Sequence, residues 1–231
     1  MFEKISRYQL GKADHGWLKT NYHFSFANYY DPNNMNFGDL RVLNDDVIKP
    51  NKGFNTHPHN DMEIITYVIN GELTHVDSMG NKHVIGRGDT QYMSAGTGVF
   101  HSEHNLGKEE LRLIQLWIMP DQTGYAPNYG DLVSDWSERE GKFYHMVSPE
   151  NGNAPITIHQ DANIFSLSLK AEEEISFNVS EKRKVYLVLL EGNANINGEL
   201  FEAGDAVKSI EEDIQIKSKD SSHYLLVELK K

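Results

Sequence analysis

The chain has 231 residues, 39% of them hydrophobic and 24% charged, the composition of a globular protein with one large or two small cores rather than a disordered or membrane chain. Its formal net charge of −12 argues against a broad phosphate-binding surface, so no direct nucleic-acid partner is expected, and "EKRKV" at 181–185 reads as a solvated turn. Cysteine is absent, which removes disulfides, thiolate ligands and a cysteine nucleophile, and leaves histidine and carboxylate to hold any metal.

From the start, "MFEKISRYQLGKADHGWL" is polar and mixed in charge, with no apolar stretch of signal-peptide type. No apolar run approaches the roughly 18 residues of a membrane span, so a cytoplasmic protein with no membrane partner is expected. "YHFSFANYYDP" (22–32) reads as core more than as a ligand platform. Next comes "HPH" at 57–59. Residues two apart on a strand share a face, with Cα atoms about 6–7 Å apart, so His57 and His59 can both reach one ion. Pro58 points the other way, and its missing N–H suits a strand start or edge.

"MEIITYVIN" (62–70) and "GELTHVDSMGNKHVIGRGD" (71–89) read as three strands joined by glycine-rich turns. His75 and His83 flank the "DSMGN" turn and are expected to face solvent. In "GTGVFHSEHN", His101 and Glu103 again sit two apart, while His104 has the opposite parity. Two such pairs on neighbouring strands converge three imidazoles and a carboxylate. That set suits iron, manganese, cobalt, nickel, copper or zinc and is too nitrogen-rich for calcium or magnesium. Four ligands on an octahedral ion leave two positions open, enough for a substrate and dioxygen.

"LRLIQLWIM" (111–119) reads as another strand, and "NYGDLVSDWSERE" (128–140) as the one helix-length polar segment, weakly amphipathic. The second half repeats the first: "LVLLEGNANINGELFEAGDAVKSI" (187–210) has the order strand, glycine turn, short strand, glycine-aspartate turn, strand of "YVINGELTH…VIGRGDTQYM". An all-β chain of two duplicated barrels follows, with 120–150 as the linker. The second copy lacks a His-x-His. His145, His159 and His223 are scattered, and each reads as a surface or satisfied histidine.

Glycine, His-x-His, Glu63 and Gly71, then Gly88, Gly96, His101 and Asn105, resemble the two motifs of the cupin superfamily, with departures of one or two residues in spacing. "HGWLKTNYHFSFANYYDP", "FNTHPHNDMEIITYVINGELTHVDSMGN" and "GDTQYMSAGTGVFHSEHN" look like pirin and its bacterial relatives from about residue 15 to 120, and more loosely beyond. The resemblance implies two tandem jelly-roll-like cupin barrels: residues 1–125 binding one divalent transition metal, iron first among the candidates, and residues 126–231 holding the linker and a degenerate barrel without metal. It also implies the carboxylate. Cupins at large take it from the first motif, here Glu63; pirins take it from the second, here Glu103. Both have the right parity, but Glu63 lies about 13 Å along a straight strand from His59. The expected ligands are therefore His57, His59, His101 and Glu103, with Glu63 in a structural or supporting role.

Bacterial pirin-like proteins are associated with quercetin 2,3-dioxygenase activity. That implies a flavonol-like aromatic substrate and dioxygen, with Glu103 as ligand and base. The alternative the family offers is a non-catalytic, metal-dependent regulator of a transcription factor or metabolic enzyme, which implies a protein partner. A sugar-binding or isomerase cupin fits the motifs less well.

Overall fold

The runs of β-branched and aromatic residues form strands almost throughout. The computed structural model describes residues 1–231. In chain order the strands are β1 (Phe2–Ile5), β2 (Gly11–Asp14), β3 (Leu18–Tyr22), β4 (Leu40–Ile48), β5 (Lys52–His59), β6 (Glu63–Asn70), β7 (Leu73–Asp77), β8 (Lys82–Ile85), β9 (Thr90–Ser94), β10 (Val99–Asn105), β11 (Leu111–Ile118) and β12 (Asn128–Leu132). A 3-10 helix, Trp136–Arg139, precedes β13 (Tyr144–Pro149), β14 (Ile156–Ile158), β15 (Ala162–Leu169), β16 (Glu174–Phe177), β17 (Arg183–Glu191), β18 (Asn193–Ile196), β19 (Glu199–Glu202), β20 (Ala206–Ile210), β21 (Ile214–Ser218) and β22 (Ser222–Lys230). No helix is long and apolar enough to cross a membrane.

The chain divides into two compact units. One is Gly11–Ser134 with Ile158–Gln160. It pairs a seven-stranded sheet, β12-β9-β6-β11-β4-β3-β2, with a four-stranded sheet, β5-β10-β7-β8. Leu18, Ile48, Val68, Leu73, Ile85, Leu111 and Leu113 form one of its core clusters, with Trp17 and Phe54 packed against it. Each fully buried aliphatic side chain there contributes roughly 1.5–3 kcal/mol. The other unit is Met1–Leu10, Asp135–Thr157 and Asp161–Lys231. Its sheets run β1-β20-β17-β22-β15-β13-β14 and β16-β21-β18-β19. Its core is built on Leu167, Leu187, Leu189, Phe201, Ile214 and Leu226.

Two segments cross the division expected at 125/126. Strand β1 joins the edge of the second unit's sheet, with Phe2 opposite Ser209 and Ile5 opposite Ala206. Strand β12 pairs with β9 in the first unit, Asn128 opposite Ser94 and Leu132 opposite Thr90. That ladder is also why 128–140 is not one helix: the backbone groups of Asn128–Leu132 are engaged across the sheet. The helical remainder is a single 3-10 turn, capped by the Asp135 carboxylate, which accepts from the Ser137 amide at 2.8 Å.

The internal repeat is real at the level of single hydrogen bonds. Gly88 (φ +85°) and Gly204 (φ +93°) occupy the same turn in the two units. Gly88 N–H donates to Val68 O at 2.9 Å, and Gly204 N–H to Leu189 O at 2.7 Å. The following aspartates match as well. Asp89 Oδ2 accepts from Gly86 N–H at 2.8 Å, and Asp205 Oδ2 from Glu202 N–H at 3.1 Å. A left-handed residue without Cβ followed by a capping carboxylate is what this turn requires.

Candidate metal centre

Strands β5 and β10 are neighbours in the four-stranded sheet, with β5 at its edge, where Pro58 withholds no ladder hydrogen bond from an inner strand. Their register sets His57 opposite His101, Pro58 opposite Phe100 and His59 opposite Val99. The sequence parity therefore becomes a cluster. Ring centroids are 4.8 Å apart for His57–His59, 4.5 Å for His57–His101 and 4.9 Å for His59–His101. One ring nitrogen from each lies within 4.8 Å of those of the others.

The donor set fits a divalent transition metal on two observations. His57 Nε2 and His101 Nε2 are 3.1 Å apart. Two nitrogens at right angles on an ion with bonds of about 2.1 Å lie about 3.0 Å apart. His57 Nδ1 sits 2.8 Å from the Asn55 carbonyl, which fixes the proton there and leaves the Nε2 lone pair available to an ion. Burial, then the charges His101 and His57 would carry, push His59 down to about 4, and burial with the like charges of His57 and His75 pushes His101 down to about 3. Both imidazoles are neutral near pH 7, the state a ligand needs.

Glu103 is buried at 1% exposure, and its carboxylate is held on both sides. Oε1 accepts from Thr66 Oγ1 at 3.2 Å and Gln91 Nε2 at 2.9 Å, and Oε2 from Gln115 Nε2 at 2.7 Å. Glu103 groups with His101 and His75, their ligand atoms again within 4.8 Å. Two overlapping triads thus share His101. Glu63 lies outside both. Its Oε1 takes Ser94 Oγ at 2.8 Å and His159 Nδ1 at 3.0 Å, a structural arrangement.

His75 corrects the expectation. It is fully buried, not solvent-facing, with Nε2 3.3 Å from Asp77 Oδ2 and its ring stacked on Tyr129 at 4.6 Å. The signal for it was parity: His75 is two residues from the buried Leu73 on the same strand. His83 is exposed as expected. His145 (Asn163, 3.0 Å), His159 (Glu63) and His223 (Glu191, 3.0 Å) each have polar partners.

The cluster opens into a cavity of about 540 Å³ lined by His57, His59 and Glu103 together with Trp17, Tyr22, Phe26, Phe54 and Trp117. Trp117 meets His59 edge-on at 4.9 Å, and Trp17 meets Phe54 at 5.3 Å. Of "YHFSFANYYDP", Phe24 is core as expected, whereas Tyr22 and Phe26 also face the cavity. An apolar aromatic chamber ending in a few fixed polar groups suits a flat aromatic molecule.

Residues 4–118 match the Pirin family, and residues 145–229 match the quercetinase C-terminal cupin domain. A pirin-like protein of Caulobacter vibrioides is 48% identical over 198 residues, covering 85% of each chain. The chain belongs to the pirin family. It is also similar to a protein of Escherichia coli K12 named quercetin 2,3-dioxygenase, 43% identical over 95% of this chain and 94% of that one. Among solved pirins, the structure of YhhW from Escherichia coli in complex with nickel(II) superposes with a TM-score of 0.92 at 40% identity, covering 100% of this chain and 99% of that one. The tandem cupin architecture expected from the motifs is the architecture found.

Proposed function

We propose that this pirin is a metal-dependent dioxygenase that opens the flavonol ring of quercetin-like substrates with dioxygen and releases carbon monoxide. The observation that carries this reading is the convergence of His57, His59 and His101 beside Glu103 at the end of an aromatic-walled cavity. Relatives named for that reaction support it, and the nickel(II) complex of YhhW supports a divalent ion. Iron, the first expectation, and nickel both belong to the class these ligands accept.

His57, His59 and His101 would hold the ion, with Glu103 completing the set. When bound, the ion supplies Lewis acidity that lowers the pKa of a flavonol 3-hydroxyl. The protein does the rest. Glu103 receives the 3-hydroxyl proton, and Gln91 and Gln115 keep its oxygens aimed while it does so. Trp17, Phe54 and Trp117 bind the flat ring system and exclude water. Overall, one dioxygen is consumed per flavonol, both its atoms enter the ring-opened ester, and one ring carbon leaves as carbon monoxide.

An aerobic assay of metal-loaded protein tests this. Quercetin's visible band should bleach with equal consumption of dioxygen and release of carbon monoxide. A flavone lacking the 3-hydroxyl should be inert. Bleaching at the same rate without dioxygen, or with His57→Ala, overturns the proposal.

A further inference from the structure

Three side-chain oxygens in the first unit are buried and have no hydrogen-bond partner: Thr20 Oγ1, Asn44 Oδ1 and Asp46 Oδ1. Their residues are 3%, 3% and 4% exposed. They form one patch. Thr20 is the Cα partner of Asp46 across β3 and β4, and Tyr22 that of Asn44, so residues at these alternate positions share one face of the sheet. All three line the cavity that holds His57, His59 and Glu103. Asp45, between them in sequence, faces the other way and is taken by Arg112 through bonds of 2.9 and 2.7 Å.

Buried polar atoms are nearly always paired, and one left unpaired costs about 1–3 kcal/mol. Three on a single two-strand patch, each on a residue that lines the same cavity, mark a site whose partners arrive with a ligand. Amide and carboxyl oxygens accept and the Thr20 hydroxyl can do either, so a ligand that brings donors satisfies all three. Trp17, Tyr22, Phe26, Phe54 and Trp117 supply most of the apolar wall, which suits donors carried on the rim of a flat apolar body. We propose that Thr20, Asn44 and Asp46 form a second anchor, which accepts hydrogen bonds from ring hydroxyls of a polyhydroxylated flavonol other than its 3-hydroxyl. This rests on the flavonol reading and adds what that reading lacks: selection for hydroxylated rings over bare ones.

The test compares quercetin with 3-hydroxyflavone, which keeps only the 3-hydroxyl. Dissociation constants are measured by quenching of tryptophan fluorescence, anaerobically, on metal-loaded wild type, Thr20→Val and Asp46→Ala. Wild type should bind quercetin at least about tenfold more tightly. In both variants that ratio should fall towards one, with binding of 3-hydroxyflavone and metal content unchanged. Because Thr20 Oγ1 has no partner without ligand, the ligand-free Thr20→Val protein should melt no lower than wild type. A wild-type ratio near one, an unchanged ratio in the variants, or a clear loss of melting temperature in Thr20→Val overturns the anchor. Equal binding of both flavonols with turnover intact removes the anchor alone; binding of neither removes the flavonol reading as well.

Discussion

Gln115 links Trp117 to Glu103: its Nε2 donates to Glu103 Oε2 at 2.7 Å, and its Oε1 accepts from the Trp117 indole N–H at 3.1 Å. The indole thereby fixes which end of the amide faces the carboxylate, and one residue of the aromatic wall orients the proposed base. Replacing Gln115 by Leu strips Oε2 of its donor and frees Glu103 to rotate. Supporting residues of this kind typically matter by 10–100-fold. Turnover of quercetin by Gln115→Leu should fall by about that factor, while metal analysis shows the protein still loaded. Wild-type turnover in this variant would remove Gln115 from the site.

Metal content should follow the imidazoles. Protein as isolated should carry close to one transition-metal ion per chain, and His57→Ala or His101→Ala should lose most of it. Elemental analysis of purified variants decides this. Stoichiometric metal in the His57→Ala, His59→Ala double variant would sink the assignment.

The two glutamates should separate cleanly. Glu103→Gln should abolish turnover or weaken metal binding with the fold intact. Glu63→Gln disturbs the contact with Ser94 and His159, so its cost should appear as a lower melting temperature with metal retained. The opposite pattern would make Glu63 the functional carboxylate.

Stability against pH should reveal Asp46. Burial, reinforced by the charges of Asp45 and Glu103, brings its carboxyl up to about 7. A carboxyl whose folded pKa is raised favours the protonated, folded state. Its contribution is fully present below the unfolded value of about 3.9 and is lost as pH rises through 7. Asp46→Asn has no such loss. From pH 4 to pH 8 the variant should therefore gain on wild type in urea-unfolding free energy, by about 4 kcal/mol at most. Parallel profiles for the two proteins would contradict the raised value.

Most of the architecture was legible because it is periodic. The glycine turns and apolar runs located the hairpins and the duplication, and the strand parity of "HPH" and "HSE" brought three imidazoles together. What stayed hidden depends on ladders the sequence does not display. "VLNDDVI" (42–48) carries an Asn-Asp-Asp run with the chemistry of a turn, yet it lies in β4, paired on both sides by β3 and β11. Those two ladders override local preference and turn Asn44 and Asp46 into the cavity. His75 lies close to a turn, yet its parity with Leu73 on β7, a strand paired with β10, carries it inward. Residues 128–132 carry no local mark of a strand because the partner that makes them one, β9, lies some forty residues earlier.

The glycine–aspartate turn shared by Gly88–Asp89 and Gly204–Asp205 separates the scaffold from its cargo. In each unit this turn is held by backbone amides and a carboxylate, and in the first its partners, Val68 and Gly86, lie outside the histidine cluster. A duplicated copy that sheds its imidazoles therefore keeps its shape, and its interior is free to drift towards a different occupant without first risking collapse.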